Sequence, residues 1–163
     1  MKKSDARSLA MAEMRKHGLI LAGWRFKFDN AKMRLGQTAY RAQIISLSAP
    51  LVAVNDEATI LDTIRHEIAH ALVGPSHGHD AVWRIKARSI GGLGVRQKPE
   101  SMVVTLEPRY SLTCANCGLT VTRHRRASRP QACPDCCDKY NRGKFTVDYL
   151  MVWGINKNAA VSA

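Results

Sequence analysis

A chain of 163 residues with 45% hydrophobic content is long enough for one or two domains and too apolar for disorder to be its default state. Twenty-five Lys and Arg against 13 Asp and Glu give a formal net charge of +12, which favours polyanionic partners, nucleic acid first among them, and says nothing about fold. No apolar run approaches the length of a membrane span, and Met1-Lys2-Lys3-Ser4-Asp5-Ala6-Arg7 lacks a signal-peptide core, so we expect a cytoplasmic protein with no membrane partner and reduced cysteines.

The first expected element is an amphipathic helix from Ser4, a candidate N-cap, to His17, with Leu9, Ala10 and Met14 facing a core and Gly18 as the stop. His17 reads as a helix-end histidine rather than a ligand. Trp24 to Asp29 alternates aromatic and polar residues, the pattern of a half-buried strand. Asp29-Asn30 is a turn signal. Arg34 to Arg41 and Ile44 to Ser48 read as two further strands. Pro50 breaks the pattern, and Leu51 to Val54 reads as a short extension.

A helix then follows, with Asn55 as its expected cap and Asp56 and Glu57 in its first turn, where negative charge suits the helix dipole. Ile60, Leu61, Ile64, Ile68 and Leu72 supply an apolar stripe. This helix carries His66-Glu67-x-x-His70, the zinc-metalloprotease signature. Residues four apart share one helix face, so both imidazoles can hold one ion. Glu67 can reach water at that ion and serve as general base. A catalytic zinc takes three protein ligands and keeps one position open, so a third ligand must come from elsewhere. Gly74 and Pro75 end the helix. The chain turns into Ser76-His77-Gly78-His79, and a new helix begins at Asp80. The third ligand is His79, with His77 as the alternate. Glu100 and Glu107 lie in Pro-containing, strand-like sequence and are poorer candidates.

Residues 91–110 change character. Gly91-Gly92-Leu93-Gly94 is loose, Met102 to Leu106 reads as a strand, and a domain boundary falls near Arg109. Beyond it, Cys114-Ala115-Asn116-Cys117 and Cys133-Pro134-Asp135-Cys136 form two C-x-x-C knuckles with fifteen residues between them, the spacing of a four-thiolate structural zinc site. Cys137 is left over. Between the knuckles, Arg123, Arg125, Arg126 and Arg129 make a basic tip suited to phosphate contacts. Lys144 to Trp153 reads as a closing strand, and Asn156 to Ala163 as a fraying tail. Charge is not confined to one part: 17 Lys and Arg stand against 10 Asp and Glu up to residue 110, and 8 against 3 after it.

His66-Glu67-x-x-His70-Ala71-Leu72 followed by Gly78-His79-x-x-x-Trp83 resembles the SprT-like metalloprotease family, which includes Spartan-type DNA–protein crosslink proteases. The resemblance covers residues 5–137. It implies that His79 is the third ligand, that Trp83 is the aromatic of the motif, and that a zinc ribbon follows the protease domain. The expected fold class is α+β: a zincin-like metalloprotease domain over 1–108, with an N-terminal helix, an active-site helix and a small antiparallel sheet, then a small β zinc ribbon over 109–155 and a tail over 156–163.

The expected activity is zinc-dependent peptide hydrolysis. His66, His70 and His79 hold one catalytic Zn²⁺, Glu67 is the base, and Cys114, Cys117, Cys133 and Cys136 hold one structural Zn²⁺. The resemblance implies DNA as a partner and proteins bound or crosslinked to DNA as substrates. The competing expectation is a non-enzymatic nucleic-acid-binding protein whose histidine site is structural or vestigial. A zinc hydrolase with a non-peptide substrate is a third.

Overall fold

The first periodic stretch folds as α1 (Lys3–Lys16) in the computed structural model, which describes residues 1–156 and 159. Its buried face is Ala6, Ala10 and Met14; Leu9 packs at the margin. Ser4 is not the cap. Lys2 occupies that position without a side-chain bond, and the Ser4 hydroxyl donates to Asp5 at 2.8 Å.

Three strands follow: β1 (Arg25–Asp29), β2 (Gly36–Ala39) and β3 (Ile44–Ser48). Their order is β1-β3-β2, with β1 parallel and β2 antiparallel to β3. The sheet is therefore mixed, not antiparallel as expected. The Asp29-Asn30 turn does not close a hairpin; it carries the chain across to the far edge. Side chains fix that path. Asp29 accepts from the Ala31 N–H at 2.9 Å and the Ser46 hydroxyl at 2.8 Å, and the Ser48 hydroxyl donates to Ala31 O at 2.6 Å.

Pro50 starts a helix rather than breaking a strand. It sits in the first turn of α2 (Ala49–Val54), where its missing N–H costs nothing, and Ser48 caps that turn by accepting from Leu51 N at 3.2 Å. The extension expected at Leu51 to Val54 is thus helical.

The next helix, α3 (Glu57–Val73), is capped by Asp56, which accepts from Thr59 N at 2.8 Å. Asn55, the expected cap, is buried elsewhere: its amide donates to Leu51 O and Val104 O and its carbonyl accepts from Val104 N, all at 2.8 Å. This explains why Met102 to Leu106 forms no strand. Its backbone is satisfied by α3-side side chains, with the Thr59 hydroxyl on Met102 O at 2.8 Å, and only a 3₁₀ turn forms at Glu100–Met102. Ile60, Ile64 and Ile68 of α3 join α1, β1, β3 and Val52 in one apolar cluster. Leu61 is half-buried and Leu72 exposed, so the stripe is narrower than its sequence pattern.

Gly74 stops α3 with φ of 89°, a left-handed angle open to glycine, and its N–H reaches His70 O at 3.0 Å. Helix α4 (Ala81–Ser89) starts where expected, with Asp80 accepting from Trp83 N at 3.0 Å.

The chain divides into two compact units after Leu106. In the second, β4 (Tyr110–Cys114), β5 (Thr120–Arg123) and β6 (Met151–Ile155) form an antiparallel sheet in the order β5-β4-β6. The second knuckle opens α5 (Pro134–Asn141), a helix with no expectation from sequence, again with Pro in its first turn. The closing strand is shorter than Lys144 to Trp153 because a 3₁₀ turn takes Val147–Tyr149. Asn156 donates to Pro108 O at 2.8 Å and to Arg109 O at 2.9 Å. The rest of the expected fraying tail, apart from Ala159, lies outside the described residues. Among the described residues no helix is long and apolar enough to cross a membrane.

Candidate metal centres

One turn of α3 and the start of α4 bring three imidazoles to a point. His79 Nε2 lies 3.2 Å from His70 Nε2 and 3.1 Å from His66 Nε2. Tetrahedral Zn²⁺ at about 2.0–2.1 Å from each nitrogen puts ligand nitrogens about 3.3 Å apart, so the donor set fits that ion. His77 does not join. Its Nδ1 is 2.8 Å from Asp80 Oδ2, beside the α4 cap.

Burial, then the mutual charge of the other two histidines, pulls His66 down to about 3. Burial and His79 pull His70 down to about 4, and burial and Arg96 lower His79. All three imidazoles are therefore neutral at neutral pH, with lone pairs available to a cation. Trp83, fully buried, is the floor beneath them. Its ring centroid is 4.6 Å from those of His66 and His79 and 5.1 Å from that of His70, which it stacks at 26°. Its Nε1–H has no hydrogen-bond partner among the described residues.

Glu67, one residue from the first imidazole, is only 7% exposed. Burial pushes its carboxyl up to about 7 against the pull of the Thr38 hydroxyl, Arg34 and Lys98. It borders a cavity of about 680 Å³ that His66, Thr63, Gly36, Arg34 and Arg96 also line. That cavity has room for several substrate atoms next to His66 and Glu67. One wall is the segment after α4, which α3 holds in place. Lys98 Nζ donates to Asp62 at 3.0 Å, to Thr59 O at 3.2 Å and to the Thr63 hydroxyl, and Asp62 also accepts from Leu93 N at 2.7 Å.

Sequence reasoning passed over two residues that touch Glu67. Thr38 of β2 places its hydroxyl 2.7 Å from Glu67 Oε2, and Gly36 faces the same side chain. Their strand was legible but its partner helix was not. The only local signal was a Gly-x-Thr pair, two residues apart and so on one face of a strand.

In the second unit, Cys114, Cys117, Cys133 and Cys136 place all four sulfurs within 4.8 Å of one another. Cys114 and Cys136 are 3.8 Å apart, and Cys117 and Cys133 3.5 Å. Four thiolates at about 2.3 Å from a tetrahedral Zn²⁺ lie about 3.8 Å apart, so this set fits too. The backbone N–H of Cys117, ahead of the opposing cost of burial, holds the Cys114 thiol below its usual value. Asn116 donates to Cys136 Sγ at 3.3 Å. Cys137 is buried outside the set, its N–H bonded to Cys133 O at 3.0 Å.

The four arginines of the basic tip are all exposed. Arg126 lies 5.2 Å from the centre of the Tyr110 ring, Arg129 lines a shallow cavity of about 340 Å³ with Trp153, Arg123 bonds to Thr122 O, and Arg125 has no contact of this kind among the described residues.

Residues 9–107 match the SprT-like family. Protein SprT of Erwinia tasmaniensis is 29% identical over 111 residues, which are 62% of this chain and 65% of that protein. Protein SprT of Escherichia coli O157:H7 is 31% identical over 99 residues, 56% of this chain and 60% of that protein. Protein SprT of Shigella sonnei strain Ss046 is 30% identical over 142 residues, 72% of this chain and 86% of that protein. The matches to the first two relatives thus span less than two thirds of their length.

Proposed function

The chain belongs to the SprT-like family, and we propose that it is a zinc-dependent peptidase, zincin-like in its protease domain, that cuts proteins bound or crosslinked to DNA. The observation that carries the reading is Glu67, a carboxylate one residue from an imidazole triad and facing a cavity. A purely structural three-histidine site has no use for it, and burying it there costs free energy.

His66, His70 and His79 would hold the ion. Bound Zn²⁺ supplies Lewis acidity toward a peptide carbonyl and acidifies water at the site. Glu67 takes the proton from the attacking water and returns it to the leaving amine. Trp83 fixes the planes of the imidazoles. Strand β2 is the edge of its sheet and packs on α3, so an extended peptide pairing with it passes beside Glu67.

The four cysteines would hold a structural Zn²⁺, making the second unit a zinc ribbon. A nucleic-acid role for that unit is supported by aromatic rings set among cations. Tyr110 carries the Arg109 and Arg126 guanidinium groups at 5.7 and 5.2 Å, and Trp153 meets it edge-on at 6.3 Å. Rings beside arginines stack unpaired bases and contact phosphates, which points to single-stranded DNA.

The test is to incubate the zinc-loaded protein with a DNA-binding protein, with and without single-stranded DNA, beside Glu67→Gln. Cleavage that needs Glu67 and rises with DNA is the expected result. No Glu67-dependent cleavage under either condition, with DNA binding retained, would move the chain to the non-enzymatic class.

A further inference from the structure

Glu67 has two carboxylate oxygens, and β2 treats them differently. The Thr38 hydroxyl is 2.7 Å from Oε2 and 2.9 Å from the backbone carbonyl of the same residue. One hydroxyl thus sits between the side-chain and main-chain oxygens of Glu67, tied to the helix backbone as well as to the carboxylate. Oε1 carries no hydrogen bond among the described residues. It faces Gly36, where an added Cβ would lie 2.8 Å from both Oε1 and Glu67 Cγ and 2.9 Å from Thr63 Cγ2. Gly36 is glycine for space, because its φ is not in the left-handed region. Gly36 and Thr38 alternate with exposed Gln37, so both lie on the one face of β2 that meets α3.

We propose that Thr38 is a positioning residue that anchors Oε2 of Glu67, while Gly36 leaves clearance for Oε1, so that Oε1 is the oxygen that meets the attacking water. A buried carboxylate on a helix has several staggered rotamers open to it, and only an outside contact selects one. Strand β2 supplies that contact from one face: a donor on one oxygen and, at Gly36, no side chain to displace the other. The proposal rests on the peptidase reading for its consequence but on β2 alone for its geometry.

The test uses Thr38→Val, which keeps the shape and removes the hydroxyl, beside Thr38→Ser, which keeps the hydroxyl. Zinc per chain, kcat and KM on a cleaved protein, and the Glu67 conformation in crystals are measured for each. In Thr38→Val, kcat should fall about 10- to 100-fold, the range for losing a supporting contact around a metal site, with KM and zinc content unchanged and Glu67 in more than one rotamer. Thr38→Ser should restore both rate and rotamer. Gly36→Ala should lower kcat by displacing the carboxylate. A Thr38→Val protein with wild-type kcat and a single Glu67 rotamer would overturn the proposal, and so would a Ser variant as impaired as the Val variant. If the wild type shows no Glu67-dependent cleavage, the peptidase reading fails, and the rotamers in Thr38→Val still decide the role of Thr38.

Discussion

In the first unit the larger apolar cluster has twelve buried members and no histidine among them; in the second unit, among the described residues, the cluster has five, and three are Cys114, Cys133 and Cys136. His66, His70 and His79 are each half-buried at the edge of a core that is complete without them. The cysteines are themselves the centre of theirs. A segment of about fifty residues buries too little surface to fold securely on apolar contacts alone, and a metal clip commonly makes up the difference. The two donor sets thus do different work. The histidines sit on a finished scaffold, and His66 lines a cavity together with Glu67, which suits chemistry. Three of the four cysteines are buried, Cys117 is exposed, and together they form the centre of a small fold.

The largest effect should come from attacking the second unit. Cys133→Ser should unfold residues 110–155 while the first unit keeps its structure, because apparent binding energies of structural zinc reach about 10–16 kcal/mol and exceed what so small a core supplies. Amide NMR spectra read this directly: signals of the second unit should collapse and those of the first remain dispersed. Signals that stay dispersed in both would remove the distinction.

Next in size is the chemistry. Glu67→Gln should lower kcat by at least about 10²–10⁴, the usual worth of a positioned acid–base group, with zinc content and melting temperature little changed. A parallel loss of zinc would make Glu67 part of the scaffold.

Trp83→Ala joins packing to metal binding. Removing a fully buried Trp costs about 3–5 kcal/mol, and the freed imidazoles should hold zinc more weakly. Denaturant melts and a zinc competition assay should move together. A destabilised protein with undiminished zinc affinity would show that Trp83 only fills space.

The smallest effect lies away from both clusters. Burial works against ionisation of Asp29, but the Ala31 N–H, the Ser46 hydroxyl and Arg34 at 2.9 Å outweigh it and hold its carboxyl below the ordinary range. A folded-state value lowered in this way stabilises the fold at pH above the unfolded value, and that gain is lost as pH falls through the folded value. Asp29→Asn should therefore cost about 1–2 kcal/mol near neutrality, and its melting curve should approach wild type in acid. An unchanging difference across pH would mean the effect is packing.

The legible parts of the chain are those fixed by local spacing. His66 and His70 share a helix face with Glu67 next to them in sequence, Gly74 and Asp80 mark the turn and the next start, and the C-x-x-C pairs announce their cluster. What was missed depends on partners distant in sequence. Asn55 could cap α3, but its side chain makes two hydrogen bonds with Val104 and one with Leu51, and Asp56 took the cap. Val104 spent its backbone groups on that side chain, so the expected strand at Met102 to Leu106 never formed. The parallel pairing of β1 with β3 was hidden because a turn signal at Asp29 does not say which edge the chain goes to. Gly36 and Thr38 matter only once β2 lies against α3, a contact between residues about thirty positions apart.

The most direct test is to follow zinc loss and folding together while a chelator is raised. Native mass spectrometry would count bound zinc, with hydrogen exchange read on each unit in the same samples. The account predicts two zinc ions per chain. One leaves while both units stay protected, and is absent from His66→Ala; the other leaves only as residues 110–155 lose protection. A single zinc ion per chain, or two that leave together with both units unfolding, would contradict it.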